Sequence, residues 1–353
     1  MNHNPEKIIR VLVVDDSAYI RKVMRQMLDK SPFIEVVGTA INGLDALEKV
    51  ELLDPDVITL DLIMPEMDGV SFLKELMKRK PKPVVVASIA SESGELAMAA
   101  MEAGAIEFIQ KPTALATEKV FEISSELIEK VKSAAQARLI PAEKERVSVL
   151  PGEIPGFERE RLAFDIVVIG VSTGGPQALK SIIPLMPADF PVPVCVVMHM
   201  PVGYTSLYAQ KLNEISAVEV LEASVGMQLL PGRVILGQAG EHFGIKRLPG
   251  GEAVVTFPSE PTESIHKPSV NVLFRSAAEV FGQRVLGVVM TGMGNDGQEG
   301  AAWIKARGGK IITQDEDSCV VYGMPRSVLE AGLSDKVVPL NQMLNTLIKE
   351  LLL

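Results

Sequence analysis

The sequence predicts two α/β domains in tandem: a five-stranded parallel (βα)5 sheet, then a doubly wound, mostly parallel α/β sheet with a β-hairpin-rich excursion. Three observations lead there. Short apolar runs alternate with helically spaced apolar positions over residues 9–138, and the alternation starts again at Phe164. Between Ala134 and Leu162 the pattern fades into QARLIPAEKERVSVLPGEIPGFERER, which carries three prolines and many charges. At 353 residues the chain is long enough for two separate cores. The expected limits are 1–125 for the first domain, 126–162 for a helical and charged linker, and 163–353 for the second domain.

In the first domain, IRVLVVDD (9–16) is a strand ending in two acids, and Ile20, Val23, Met24, Met27 and Leu28 follow at helical spacing. Next come IEVVGTA (34–40), a helix near 43–53, DVITLDL (56–62) and a helix near 69–79. PVVVASI (83–89), a helix near 95–103, IEFIQKP (106–112) and a helix near 117–138 complete the repeat. In the second domain, strands near 164–170, 192–199, 285–291, 310–314 and 336–339 alternate with helices near 175–186, 204–215, 270–281, 298–307, 325–331 and 341–352. VEVLEA, RVILGQA, HFGIKRL and EAVVTF, punctuated by Pro-Gly turns between 218 and 258, form the excursion.

Composition narrows the function classes. Net charge is −10 with no basic stripe, which argues against nucleic acid as a partner. The chain has no apolar run of bilayer length, and MNHNPEKIIR lacks the apolar core of a secretory signal. Cys195 and Cys319 lie far apart in apolar runs and read as core residues of a reducing compartment. The expected location is the cytoplasm.

Two sets of residues carry chemistry. In the first domain Asp15, Asp16 and Asp61 fall at strand C-terminal ends, the edge where open α/β sheets bind ligands. Three gathered carboxylates repel and favour a hard divalent cation such as Mg²⁺. Lys111, before Pro112, and Ser88 end two further strands and could meet a phosphoryl group there. Taken singly, each aspartate reads equally as a helix cap or a loop acid. Together VLVVDDSAYIRKV, VITLDLIMPEMDG, VVVAS and IEFIQKP resemble the receiver domain of response regulators, over roughly residues 8–125. That resemblance implies a flavodoxin-like fold with Asp61 as phosphoacceptor. Asp15, Asp16 and Asp61 would hold Mg²⁺ with the carbonyl of Ile63, Lys111 and Ser88 would contact the phosphoryl group, and Phe108 would change rotamer on activation.

In the second domain DIVVIGVSTGG (165–175) runs a strand into a Gly-x-Ser-x-Gly turn at Gly170, Ser172 and Gly174. A serine needs a base and oxyanion donors to act as a nucleophile. His199 ends the strand VPVCVVMHMP; of the other histidines, His3 is N-terminal and His242 and His266 lie in or after the excursion. Asp296 in VLGVVMTGMGNDG supplies an acid at a third strand end. The Gly-rich turns around Thr173 and Met293 offer backbone N–H groups for an oxyanion. A competing pattern exists: Gly292, Gly294 and Gly297, with Asp315 after the next strand, match a dinucleotide fingerprint.

The runs IGVSTGGPQAL, HMP, HKPSVNVLF, TGMGNDG and QDEDSCVVYGMPRSV closely resemble the catalytic domain of the chemotaxis protein-glutamate methylesterase (CheB) family, over about residues 164–340. With the receiver in front, the whole chain matches that two-domain response regulator. The resemblance implies nucleophile Ser172, base His199 and orienting acid Asp296, with Thr173 and Met293 lining the site. It implies hydrolysis of glutamyl methyl esters on chemoreceptor helices, deamidation of receptor glutamines, a histidine kinase as phosphodonor, and a receiver that covers the active-site face until phosphorylated. The esterase step itself calls for no cofactor. Four positions depart from the family pattern: Val171 for alanine, Met198 for glutamine, LGQAGEH (236–242) for an Ala-Pro-Gly-x-x-His pattern, and Asn271 for aspartate. A phosphorylation-controlled scaffold with an inactive second domain is the alternative reading.

Overall fold

The computed structural model describes residues 8–88, 90–111, 117–139, 162–259 and 266–352. His3, Pro112 and the proline-bearing stretch after Leu139 lie outside them. Two compact units divide between Leu139 and Ile140.

The first unit alternates β1 (Ile9–Val14), α1 (Ala18–Leu28), β2 (Ile34–Ala40), α2 (Gly43–Leu53), β3 (Val57–Asp61), α3 (Gly69–Arg79), β4 (Val84–Ser88), α4 (Ala90–Glu102), β5 (Glu107–Gln110) and α5 (Thr117–Gln136). The five strands pair in parallel in the order β2-β1-β3-β4-β5. β3 and β4 are buried along their whole length, and β1 over Val11–Val14, because helices cover both sides of the sheet. Polar side chains start the helices: Ser17, Asn42 and Asp68 accept hydrogen bonds from the N–H groups of Ile20, Asp45 and Ser71. Chain order reverses between β1 and β3, which opens the crevice used by open α/β folds at the strand C-termini. α4 begins earlier than its apolar spacing suggests. α5 runs unbroken to Gln136, and Lys130 binds Glu107 Oε1 (3.1 Å) and the carbonyl of Phe108 (2.8 Å), which holds its C-terminal half on β5.

The second unit contains β6 (Ile166–Val171), α6 (Gly175–Ile182), β7 (Val194–Met198), α7 (Thr205–Glu214), β8 (Glu219–Glu222), β9 (Arg233–Leu236), β10 (Gly244–Arg247), β11 (Ala253–Thr256) and α8 (Val270–Phe281). β12 (Val285–Val289), α9 (Gln298–Ala306), β13 (Lys310–Gln314), α10 (Met324–Glu330), β14 (Lys336–Val338) and α11 (Met343–Leu351) follow. Seven strands form a parallel sheet in the order β14-β13-β12-β6-β7-β9-β8, beside a two-stranded antiparallel sheet, β10-β11. α8 lays Leu273, Phe274, Ala277 and Ala278 against a core that includes Ile166, Val168, Val285 and Val289.

The excursion differs from expectation in one respect. Only β10 and β11 pair as a hairpin; β8 and β9 extend the main sheet in parallel. The reason is burial: Val234, Ile235 and Leu236 of β9 are all covered, so this strand suits the interior of a sheet rather than a hairpin with one wet face.

Candidate functional site

In the first unit, Asp15 follows β1, Asp61 ends β3, Ser88 ends β4 and Lys111 follows β5. The sheet register therefore gathers all four at one edge. Lys111 Nζ lies 2.8 Å from Asp15 Oδ2 and 2.6 Å from Asp61 Oδ2. One oxygen from each of Asp15, Asp16 and Asp61 falls within 4.8 Å of the others. Asp15 and Asp61 are buried while Asp16 is exposed. Burial, joined by the charge of Asp15, pushes the Asp61 carboxyl above its usual range, against the pull of Lys111 and the Ile63 N–H. Burial opposes the Lys111 charge too, but Asp15 and Asp61 outweigh it and raise its pKa. This donor set, hard oxygens with excess negative charge facing one gap, suits a metal ion. Phe108 packs inside β5, buried. Arg21 carries no motif signal in the sequence. Its Nη1 binds the carbonyls of Asp15 (2.7 Å) and Asp16 (3.0 Å) and so fixes the acidic turn.

In the second unit, β6 and β7 are paired through Val171 and Met198, so Ser172 and His199 each stand one residue beyond the same rung. His199 N–H donates to the Val171 carbonyl (3.3 Å) and Ser172 N–H to the Thr291 carbonyl (3.0 Å). The second bond ties the serine turn to the loop after β12. Gly292 allows the closest approach: a Cβ there would lie 2.8 Å from the Cβ of Ser172 and would strike Met324 Sδ. Gly174, at φ 79°, turns the chain into α6, and a Cβ on it would come within 2.6 Å of the Val320 side chain. Gly174→Ala is therefore expected to destabilise the fold by about 2 kcal/mol or more, read by urea denaturation, since strain and overpacking combine.

Asp296 sits in the Gly-rich loop between β12 and α9, buried, and both its oxygens are fully engaged. Oδ2 accepts from His199 Nε2 (2.9 Å) and the Val270 N–H (2.8 Å). Oδ1 accepts from Ser269 Oγ (2.9 Å) and the Asn271 N–H (3.0 Å). The carboxylate thus rests on the N-terminus of α8, where backbone N–H groups favour negative charge. Burial opposes that charge, but His199 and the two N–H groups prevail and hold the pKa down at about 2. With Nε2 on the aspartate, Nδ1 is the remaining ring nitrogen. It is buried and has no hydrogen-bond partner among the described residues. A bond from Ser172 Oγ to it is not formed in this geometry.

The dinucleotide pattern finds no support. Gly292 is packed against Ser172 and Met324, and the Asp315 carboxylate is taken up by the N–H and hydroxyl of Ser318.

Comparison with known proteins identifies the family of each unit. The family model for the CheB methylesterase matches residues 167–347, and that for the response regulator receiver domain matches residues 11–120. A protein-glutamate methylesterase/protein-glutamine glutaminase of Myxococcus xanthus is 48% identical over 95% of this chain and 96% of its own length. The chain belongs to the CheB methylesterase family. A second member, from Symbiobacterium thermophilum, is 43% identical over 97% of this chain and 96% of its own. The crystal structure of the Thermotoga maritima CheB methylesterase catalytic domain matches with TM-score 0.51 at 39% identity, covering 53% of this chain and 98% of that one.

The departures from the usual CheB pattern at Val171, Met198 and Asn271 lie close to the serine turn or to Asp296. Val171 and Met198 are buried beneath the first turn of α6, where a Cβ on Gly175 would meet both. They therefore shape the serine turn from below. Asn271 touches the site, since its N–H donates to Asp296 Oδ1. Its side-chain oxygen accepts from the N–H groups of Gly297 (2.9 Å) and Gly300 (2.8 Å), capping α9, which has no side-chain cap of its own. No motif in the sequence marks Ser269, Val270 or the backbone of Asn271 as partners of Asp296. The only hint was SVN opening an apolar helix, which reads as an ordinary cap.

Proposed function

We propose that this chain is a phosphorylation-controlled hydrolase that removes methyl esters from glutamate side chains of chemoreceptors and also deamidates receptor glutamines. The supporting observation is the His199–Asp296 pair beside the Ser172 turn, at one sheet edge, in a chain of the CheB family.

Ser172 Oγ attacks the γ-carbonyl carbon of the ester and its proton passes to His199 Nδ1. Asp296, on Nε2–H, holds the tautomer and stabilises the imidazolium that forms. The oxyanion is held by backbone N–H groups of the turns at Thr173 and Met293. As the carbonyl reforms, the methoxy group leaves with the proton from Nδ1 as methanol. Water then gives a proton to Nδ1 as it attacks the acyl carbon, and when the tetrahedral centre collapses that proton passes to Ser172 Oγ, which frees the glutamate side chain and restores the serine. With glutamine, ammonia leaves in place of methanol.

In the receiver, Asp61 accepts a phosphoryl group from a histidine kinase. Asp15, Asp16 and Asp61, with the Ile63 carbonyl, are the residues to hold Mg²⁺, which when bound offsets the charge of the incoming group. Lys111 and Ser88 contact the phosphoryl oxygens, and Phe108 repacks as part of a two-state switch that governs the esterase. The receiver is assigned 1–139, past the boundary expected at 125, because α5 continues to Gln136 and Lys130 holds its C-terminal half on β5; the esterase takes 163–353, with the linker between them. The protein works in the cytoplasm without entering the bilayer or binding nucleic acid, and no helix among the described residues is long and apolar enough to span a membrane.

The test is methanol release from methylated receptor membranes. Wild-type release should rise with a small phosphodonor and Mg²⁺, while Asp61→Asn keeps the basal rate and loses the rise. No release above buffer from wild-type protein, with phosphodonor present, would mark an inactive scaffold. An equal response from both proteins would remove Asp61 as the acceptor.

A further inference from the structure

The ring of His266 lies on the ring of His199, with centroids 4.0 Å apart and planes 18° from parallel. His266 itself is exposed, whereas the His199 side chain is only 9% exposed. His266 also opens the segment that grips Asp296. Lys267 accepts a hydrogen bond from the Gly240 N–H (3.0 Å), and Pro268 packs over Gly237. Ser269, Val270 and Asn271 then bind the Asp296 carboxylate. A single run of six residues, HKPSVN, therefore touches the face of the base at one end and both oxygens of its acid at the other.

This matters because a histidine is poorly restrained by its own torsions: rotation about the Cβ–ring bond is broad. The bond from Nε2 to Asp296 fixes one point of the ring. It leaves rotation about an axis through that point, which would swing Nδ1 away from Ser172. A flat neighbour stacked on the ring removes that freedom.

We propose that His266 is a positioning residue of this site: its ring, stacked on His199, sets the plane in which Nδ1 meets the Ser172 hydroxyl. The proposal rests on the Ser172–His199–Asp296 reading given above. It needs a flat ring at position 266 and not a titrating nitrogen, which separates it from a second general base.

His266→Ala and His266→Phe in the full chain make the test, by kcat and KM for methyl ester hydrolysis and by the NMR signal of the His199 Nε2 proton. The alanine variant should lose kcat by about 10- to 100-fold with KM little changed, since a small misplacement of a reacting group costs that much. Phenylalanine should restore kcat to within about threefold of wild type on the same argument. The Nε2 proton signal should be sharp in wild type and His266→Phe and broadened in His266→Ala. Wild-type kcat in His266→Ala, or a phenylalanine variant as slow as the alanine one, would overturn the proposal. The proton signal reports the hold on the ring without reference to turnover. Full activity in Ser172→Ala would defeat the esterase reading alone and leave that spectroscopic result to stand.

Discussion

Ser172→Ala is expected to lower methyl ester hydrolysis by about 10³-fold or more while leaving the fold as stable as before. Both halves of that statement come from the geometry. Hydroxyl removal takes away the atom that forms the acyl bond, and neither His199 nor Asp296 can replace it. The serine's place in the fold depends on its backbone, through its N–H on Thr291 and its carbonyl on the Gly175 N–H (2.7 Å). Its side chain is only half-buried, so truncation should shift stability by less than about 0.5 kcal/mol. Methanol release under single-turnover conditions, with a thermal midpoint taken alongside, checks both. An undiminished rate would remove Ser172 as nucleophile.

Asp296→Asn should cost about 10⁴-fold in turnover, and unlike the serine change it should also weaken the fold. Four donors converge on this carboxylate. An amide offers one oxygen and turns its NH₂ towards donors. Either His199 must present the other tautomer, with Nδ1 protonated and useless as a base, or a helix N–H loses its acceptor. The second outcome carries about 1–3 kcal/mol for each buried group left unpaired. The pH dependence follows in sign. The Asp296 pKa is about 2 in the fold against 3.8 for a free carboxyl, so the ionised group adds stability above pH 4. That addition, about 2 kcal/mol by linkage, is lost as pH falls from about 4 towards 2. Urea midpoints of wild type and Asp296→Asn should therefore differ at pH 6 and draw together across that window. A constant gap down to pH 2 would mean that the carboxylate is not held as described.

Several features of the two sites, one in each unit, were legible without coordinates. A parallel strand exposes its C-terminal end to ligands, so an acid, a hydroxyl, a lysine or a histidine at such an end is already placed. Asp15, Asp61, Ser88 and Lys111 could be found this way, and so could Ser172 and His199. Asp296 was legible because its loop follows an apolar strand. The excursion was less so, because alternation and turn signals do not say whether two short strands pair with each other or with a distant neighbour. β9 shows the difference: its three covered apolar residues belong between β7 and β8, a choice made by contacts far away in sequence.

By itself the sequence determined the two α/β units, the strand ends that carry reactive side chains, and the glycine turns that let those ends approach. These follow from local chemistry: periodicity, turn preference and charge. Only the tertiary structure decided which ring nitrogen of His199 faces Asp296, that the N-terminus of α8 holds that carboxylate, and that His266 stacks on the base. Such choices depend on side chains brought together from separate strands and loops, where a rotation of one bond exchanges one partner for another, and no spacing along the chain encodes that rotation.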